Sequence, residues 1–300
     1  MKVFTKKETP AQNLAFCAIV AGFDGILSCI SALLPISSFF LMMVVPLLSS
    51  VVAYFCKKRY YVIYFFGALG VSIALSAWDF SNTIFYLLPS LCAGLAYGFL
   101  LRRKTSVVLT NFVVSMVQYC FFVLSLWLVK AIYEIDMRET LGNLFGISNK
   151  DLLNNAFPLL SLFYSFAVTG FSHLFFSLQS SHLNLEYNDP SSFRWLAPGI
   201  AFLCSGLGLG LSFVYPKLAY FFLGCSFYWG FASLLSCFPK IHLATIICLG
   251  ITIFASLLGF SMAYSAFAME QALAFFSLFP ASMAISSFLD VLLGKKNKSI

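Results

Sequence analysis

The chain has 300 residues, of which 61% are hydrophobic and only 10% are charged, and its formal net charge is +7. Soluble domains carry roughly 25% charged residues, so this composition excludes an ordinary soluble protein and predicts an integral membrane protein. The apolar runs are nearly continuous and approach the roughly 20 residues of a membrane-spanning helix, whereas strands of a membrane barrel alternate in polarity. We therefore predict an all-α, polytopic helical bundle.

The first apolar run opens with the signature of a helix N-terminus. Thr9 is placed to cap the helix, Pro10 suits the first helical position, and Gln12 completes a capping box. The run shows no convincing small-residue cleavage site, and a second apolar run follows at once. We therefore expect a retained span rather than a signal peptide.

One stripe of the first helix consists of small residues, and the opposite side is bulky. The stripe, at helical spacing, is Ala11, Ala15, Ala18, Gly22, Gly25, Cys29 and Ala32. The bulky side is Phe16, Val20, Phe23, Leu27, Ile30 and Leu34. Small side chains let helices approach closely in lipid, so the stripe is predicted to contact protein and the bulky side to face lipid. That protein is either the rest of this chain, which we favour, or another subunit.

Asp24 stands on a flank of this helix among other small or polar residues. The flank is Cys17, Ala21, Ser28 and Ser31. A carboxylate inside the membrane is costly, so it must be protonated, paired or exposed to water, and it is a functional candidate by default. The alternative is a purely structural role, in which a neutral Asp24 is hydrogen-bonded between helices. Asn111, Gln118 and His173 lie at comparable depth as possible partners, and Asp24, Gln118 and His173 are the predicted ligand or ion contacts.

Hydropathy, turns and charge clusters predict ten spans. They lie near residues 12–34, 36–56, 61–78, 84–101, 107–132, 156–179, 196–215, 218–238, 241–267 and 271–293. With a cytoplasmic N-terminus, fourteen of the eighteen Lys and Arg fall in inside segments and four outside, as the positive-inside rule requires. Both termini are therefore predicted to be cytoplasmic. Segment 133–155 would lie outside, as a short interfacial helix or as a lid over a pocket.

Glycine spacing marks two predicted helix-packing sites. Gly94 and Gly98 form GxxxG in the fourth span, and Gly206 and Gly210 repeat it in the seventh. Both pairs predict close helix packing.

No motif indicates catalysis. The chain has no HExxH, no GxxxxGK[ST] and no CxxC, and its three histidines are isolated. We therefore predict no enzyme activity, no catalytic residues, no metal, no cofactor and no nucleic-acid partner. The nine cysteines fall within or beside apolar runs, where cysteine behaves as a small apolar residue.

Several short motifs carry a resemblance to a known family. They are Pro46, Leu87-Leu88-Pro89 running through Gly94 and Gly98 into Arg102-Arg103-Lys104, then Arg194-Trp195-Leu196-Ala197-Pro198, and Leu289-Asp290 before a basic tail. Together they resemble the bacterial YybS-like membrane proteins, a family of unknown function. The N-terminal part of that family is similar to the substrate-binding S components of energy-coupling factor vitamin transporters.

The resemblance implies a bacterial cytoplasmic-membrane protein with a particular domain plan. A six-helix S-like unit would span residues 10–179, followed by a linker at 180–195, a four-helix unit at 196–293 and a basic tail at 294–300. In S components a comparable face of the first helix docks on a coupling subunit, and the small-residue stripe matches that role. The four additional helices depart from the S-component pattern.

Three functions follow as hypotheses. The first is binding or transport of a small solute, with helices 1 to 6 forming the pocket. The second is a non-catalytic scaffold or regulator that binds another membrane protein through the first helix. The third is a ten-helix drug/metabolite-type exporter, although the tandem five-helix duplication of those proteins is not evident here. The lipid bilayer is the partner common to all three.

Overall fold

A computed structural model describes residues 6–34, 38–134, 136, 138–139, 150–183, 195–237, 243–267 and 269–296. Within these ranges the chain is all-helical and has no strand, so the predicted fold class is confirmed. Seven helices are long and apolar enough to cross a membrane, and three shorter apolar helices accompany them. The structure is thus that of a multi-pass helical membrane protein, and the exact count of ten spans stays a prediction.

The described helices overlap the predicted runs, with ends that differ by up to six residues. They are α1 Pro10–Leu33, α2 Ser38–Phe55, α3 Arg59–Leu75, α4 Phe80–Arg102, α5 Val107–Tyr133, α6 Lys150–Leu183, α7 Leu196–Leu211, α8 Pro216–Cys237, α9 Leu243–Ala266, α10 Met269–Ala274 and α11 Leu278–Lys296. A 3-10 turn at Phe275–Ser277 separates α10 from α11 within the last predicted run.

The predicted start of α1 is confirmed. Thr9 Oγ1 accepts from the Gln12 backbone N–H at 3.3 Å, and Gln12 Oε1 accepts in return from the Thr9 N–H at 3.4 Å. Pro10 occupies the first turn, where its missing N–H has no partner to lose. The helix therefore begins where local side-chain chemistry satisfies its free N–H groups.

The chain divides into two compact units. Unit 1 comprises Met1–Thr140 and Tyr164–Asn188, and unit 2 comprises Leu141–Phe163 and Asp189–Ile300. Helix α6 contributes its first part to unit 2 and its second part to unit 1. The predicted linker at 180–195 falls mostly outside the described residues, so that boundary stays a prediction.

Unit 1 is built from three close helix pairs, α1 with α3, α2 with α4, and α4 with α5. Gly94 and Gly98 lie where α4 crosses α2. A Cβ atom on Gly94 would stand 2.5 Å from the Ser49 Cβ, and one on Gly98 would stand 2.8 Å from the Ala53 Cβ. Because glycine has no side chain, the two backbones come closer than any other residue would allow.

Three of the predicted inside basic clusters meet at one end of unit 1. The Lys7 N–H donates to the Phe55 carbonyl, and Lys57 Nζ donates to the Glu8 carbonyl at 2.7 Å. Arg102 also donates to the Cys56 carbonyl, at 2.8 Å. The segment before α1, the α2–α3 turn and the end of α4 therefore share one end of this unit.

Beyond α5, Asp136 pairs with Lys130 and Arg138, both at 2.7 Å. The Arg138 guanidinium, which donates hydrogen bonds to Asp136, holds the pKa of that carboxyl well below its usual range. Most of the predicted outer segment 133–155 lies outside the described residues, and residues 150–155 form the start of α6.

Unit 2 packs α7 against α8, and α11 against α7, α8 and α9. The close packing predicted at Gly206 and Gly210 is wrong, because no atom lies within 4 Å of a Cβ on either residue. Gly208 makes the approach instead, 3.4 Å from the Ala219 carbonyl oxygen. It shares the buried face of α7 with Ala201 and Ser205, so this face, rather than the GxxxG face, meets α8.

Candidate functional site

The buried side of α1 is its polar flank, not its small-residue stripe. Its buried residues are Asn13, Phe16, Cys17, Val20, Ala21, Asp24, Gly25, Ser28 and Ser31. Ala11, Ala15 and Ala18 are exposed, and a Cβ on Gly22 would meet no atom within 4 Å. Of the stripe's glycines, Gly25 packs closely, 2.6 Å from Val71 Cγ1.

The prediction that the stripe packs within this chain is therefore wrong for Ala11, Ala15 and Ala18. The prediction that Phe16 and Val20 face lipid is also wrong, because both are buried. The polar flank is centred roughly 110° from the stripe at 3.6 residues per turn. Exposing Asn13, Asp24 and the serines to lipid would cost more than the close approach of small residues gains. The helix therefore presents its polar flank to the other helices, and this orientation also buries Phe16 and Val20.

Asp24 is fully buried and bonded to a residue that the sequence did not point to. Tyr64 on α3 donates to Asp24 Oδ2 at 2.5 Å, and Ser49 on α2 lies 3.2 Å from the Tyr64 hydroxyl. Asp24 Oδ1 is buried and has no hydrogen-bond partner. The expected partners Asn111, Gln118 and His173 are not bonded to it in the described part of the chain, and α3 packs against α1 and supplies the bond instead.

Hydroxyl groups continue along the α1–α4 contact. Ser28 Oγ donates to the Asp24 carbonyl at 2.9 Å, and the Tyr86 hydroxyl donates to Ser28 Oγ at 2.7 Å. One turn further, Asn82 Nδ2 donates to Ser31 Oγ at 3.2 Å. The neighbourhood of Asp24 therefore contains neutral oxygen groups from the four helices α1 to α4.

Gln118 lies in the middle of α5 with 1% of its surface exposed, and neither its Nε2 nor its Oε1 has a hydrogen-bond partner. Ser115 Oγ and Asn111 Oδ1, on the same helix face at spacings of three and seven residues, are also buried without partners. Thr169 Oγ1 on α6 is a fifth such atom. We call these four residues the α5–α6 polar set.

Aromatic side chains border the α5–α6 polar set. The Phe122 ring, one turn from Gln118 on the same face, lies 5.3 Å from Phe85 on α4 and 5.7 Å from Tyr164 on α6. The Phe112 ring stacks 6.4 Å from Phe166 at the other end of the set. Aromatic ring contacts thus connect α5, which carries most of the polar set, to α4 and α6.

His173 has different surroundings. Its Nδ1 lies 2.6 Å from the Tyr97 hydroxyl, and its ring meets Tyr97 edge-on. Tyr97 is two residues from Phe99, whose ring Lys58 and Arg103 cover at the basic end of unit 1. Asp24, Gln118 and His173 are all in unit 1, but the structure gives each its own contacts rather than one shared site.

The arrangement offers neutral hydrogen bonding at α5–α6 and one carboxylate at α1–α3. Among the described residues, no three His, Cys, Asp or Glu side chains gather to hold a metal. Sequence reasoning missed Tyr64, Ser115 and Thr169. The spacing of Ser115 from Gln118 could have revealed that residue, whereas nothing in the sequence aligns α3 or α6 with these positions.

Comparison with known proteins finds no match among protein-family models, curated proteins or solved structures. The resemblance to YybS-like proteins and to S components therefore depends on the short motifs alone and stays a prediction.

Proposed function

We propose that unit 1 binds a small, uncharged, polar solute inside the membrane as part of its transport, in a bacterial cytoplasmic membrane with both chain termini inside. The observation that carries this proposal is Gln118, a fully buried amide with no hydrogen-bond partner. The meeting of three basic clusters at one end of the unit supports the orientation.

Buried polar atoms without hydrogen-bond partners lower the stability of the fold. Each buried donor or acceptor without a partner costs about 1–3 kcal/mol, and the α5–α6 polar set has five such atoms. That cost is a large share of a typical folding free energy of about 5–15 kcal/mol. A solute that bonds to these atoms recovers it on binding, which gives a physical reason for their presence.

The side chains of the α5–α6 polar set specify the chemistry of the solute. The amide of Gln118 both donates and accepts, the hydroxyls of Ser115 and Thr169 do either, and Asn111 Oδ1 accepts. None of these groups carries a charge, and the bordering rings of Phe122 and Tyr164 favour a flat, partly apolar partner. Uncharged ring compounds with several donors and acceptors, such as nucleobases, nucleosides and neutral vitamins, meet these requirements.

The experiment combines native mass spectrometry after purification in a mild detergent with thermal-shift measurements over a panel of those compounds. We expect a co-purified small molecule or a stabilising panel member. Gln118→Leu should abolish that stabilisation because it removes the amide. The ligand-free variant should also be more stable than the parent, by about 1–3 kcal/mol, because two bare polar atoms are gone.

Ser125→Ala is the matched control. Ser125 is buried on the same face of α5, but its hydroxyl already donates to the Phe85 and Phe122 carbonyls. The control should lose stability slightly and keep the ligand response. The proposal fails if no panel compound binds and Gln118→Leu destabilises the protein, because Gln118 would then be a satisfied structural residue.

A second candidate function, a scaffold or regulator that docks on another membrane protein, is favoured by a separate observation. Ala11, Ala15 and Ala18 form an exposed row of small residues on α1, and Gly22 extends the row with open space around it. Such a row suits close approach of a helix from a partner. The resemblance to S components assigns it the same role.

A further inference from the structure

We propose that Asp24 is the centre of a binding site for a small monovalent cation between α1 and α3, with Na⁺ as the probe ion. The carboxylate contributes its free Oδ1, and the hydroxyl of Ser72 contributes a second free oxygen. The inference is independent of the proposed solute, because no atom of the α5–α6 polar set takes part.

The Asp24–Tyr64 contact is one that an ionised carboxylate accepts, as a bound cation would require. The donor–acceptor distance of 2.5 Å is that of a hydroxyl donating to a charged oxygen, for which about 2.5–2.7 Å is typical. Ser49 stands 3.2 Å from the Tyr64 hydroxyl on the other side and holds it in place. A donated hydrogen bond of this kind favours the charged form of the acid.

A negative charge on Asp24 has no counter-charge in the described part of the chain. No Lys, Arg or His in the described ranges forms an ion pair with Asp24, and the hydrogen bond to its side chain comes from Tyr64. A buried charge without compensation costs several kcal/mol, and a membrane interior does not relieve it. A bound cation supplies the missing charge.

A second orphan oxygen lies on the same interface. Ser72 is 0% exposed and its Oγ has no partner. It is two turns from Tyr64 on the buried face of α3, directly after Val71, the residue against which Gly25 of α1 packs. Asp24 and Ser72 therefore face the same α1–α3 contact, each with a free oxygen.

The ligand set favours a monovalent ion. Hard cations take oxygen ligands, and divalent ions in proteins are usually held by several carboxylates. Here one carboxylate accepts from Tyr64, and the neutral hydroxyls of Ser28 and Ser72 lie on the buried faces of α1 and α3. An ion of charge +1 neutralises the site, whereas a divalent ion would leave a buried positive charge.

The test measures thermal stability of the purified full chain in NaCl against N-methylglucamine chloride at equal ionic strength, near pH 7.5 and near pH 5. We expect Na⁺ to raise the melting temperature on the order of 3 °C or more. The rise should shrink at pH 5, because protons compete for the same carboxylate. Asp24→Asn should show no Na⁺ response.

Ser72→Ala provides a second variant in case Asp24→Asn does not fold. Ser72 Oγ makes no hydrogen bond, so its loss should leave folding intact and weaken the Na⁺ response. Ser205→Ala in unit 2 is the matched control: its hydroxyl, also buried, donates to the Ala201 carbonyl, and the full response should remain. The proposal is overturned by an equal Na⁺ response in Asp24→Asn. It is also overturned if stability responds to pH alone, since Asp24 would then be a proton site.

Discussion

Replacing Gly94 by Ala tests the close contact of α4 with α2 in unit 1. The added Cβ would lie 2.5 Å from Ser49 Cβ and 2.8 Å from Pro46 Cα, and closer still to the Pro46 carbonyl oxygen. Carbon atoms in contact prefer about 3.5–4.0 Å. Because two of these neighbours are backbone atoms, α2 and α4 must move apart by roughly 1 Å to admit the methyl group.

The size of the stability loss in Gly94→Ala follows from this separation of α2 and α4. A gap of about 0.5–1 Å removes a quarter to a half of each atom-pair attraction, and overpacking of a tight core typically costs about 1–3 kcal/mol. Alanine gains up to about 1 kcal/mol over glycine in a helix interior, which offsets part of the loss. We expect Gly94→Ala to destabilise the protein by about 1–2 kcal/mol in net terms.

The matched control is Gly206→Ala. Gly206 is also a helical GxxxG glycine, but a Cβ there would meet no atom within 4 Å. It should gain the helix propensity without the clash, so the two variants should change stability in opposite directions. Thermal stability read by fluorescence-detected gel filtration in detergent measures both. If Gly94→Ala is as stable as Gly206→Ala, the close α2–α4 approach is refuted.

Two further predictions concern the surface. The double variant Ala18→Leu, Gly22→Leu should leave membrane insertion intact and abolish co-purification of a membrane partner, because bulky side chains prevent close docking. The control Gly170→Leu, at a glycine of α6 with open space around it, should keep the partner. An unchanged partner set in the double variant would contradict the scaffold hypothesis. Asp136→Asn should lower thermal stability by less than about 1 kcal/mol, since the three side chains of the ion pairs keep between 21% and 53% of their surface exposed. Because those pairs lower the pKa of Asp136, their contribution is present above about pH 4 and is lost as the pH falls further. A difference between parent and variant that already fades between pH 7 and 5 would contradict the assignment.

The helices of this chain were predictable because the membrane imposes a strong local rule. Every backbone group must be bonded within its own segment, so apolar runs become helices wherever they occur. The start of α1 was predictable for the same local reason, since Thr9, Pro10 and Gln12 act within one turn. The face on which a helix packs was not, as α7 shows: it meets α8 with Gly208, although Gly206 and Gly210 carry the motif.

The rotation of α1 illustrates why spacing alone misled. Small residues permit a close approach, but polar residues require burial, and on α1 the two properties lie on different sides. The larger penalty decides which side turns inward, and a buried Asp24 outweighs several exposed alanines. A stripe of Ala and Gly therefore predicts packing within the chain only when no polar flank competes with it.

Function depends on a distinction that residue identity does not show. Gln118 and Ser125 are both polar, both buried, and seven residues apart on one face of α5. The sequence favours Gln118 as a ligand contact but does not show which of the two finds hydrogen-bond partners. Ser125 finds two carbonyl acceptors, whereas Gln118 finds none. The difference arises from Phe85 on α4, whose carbonyl faces Ser125, and from the aromatic rings that border Gln118. Only the three-dimensional packing separates a polar residue that closes a helix contact from one that awaits a partner, and this separation directs the search for a solute to Gln118 rather than to Ser125.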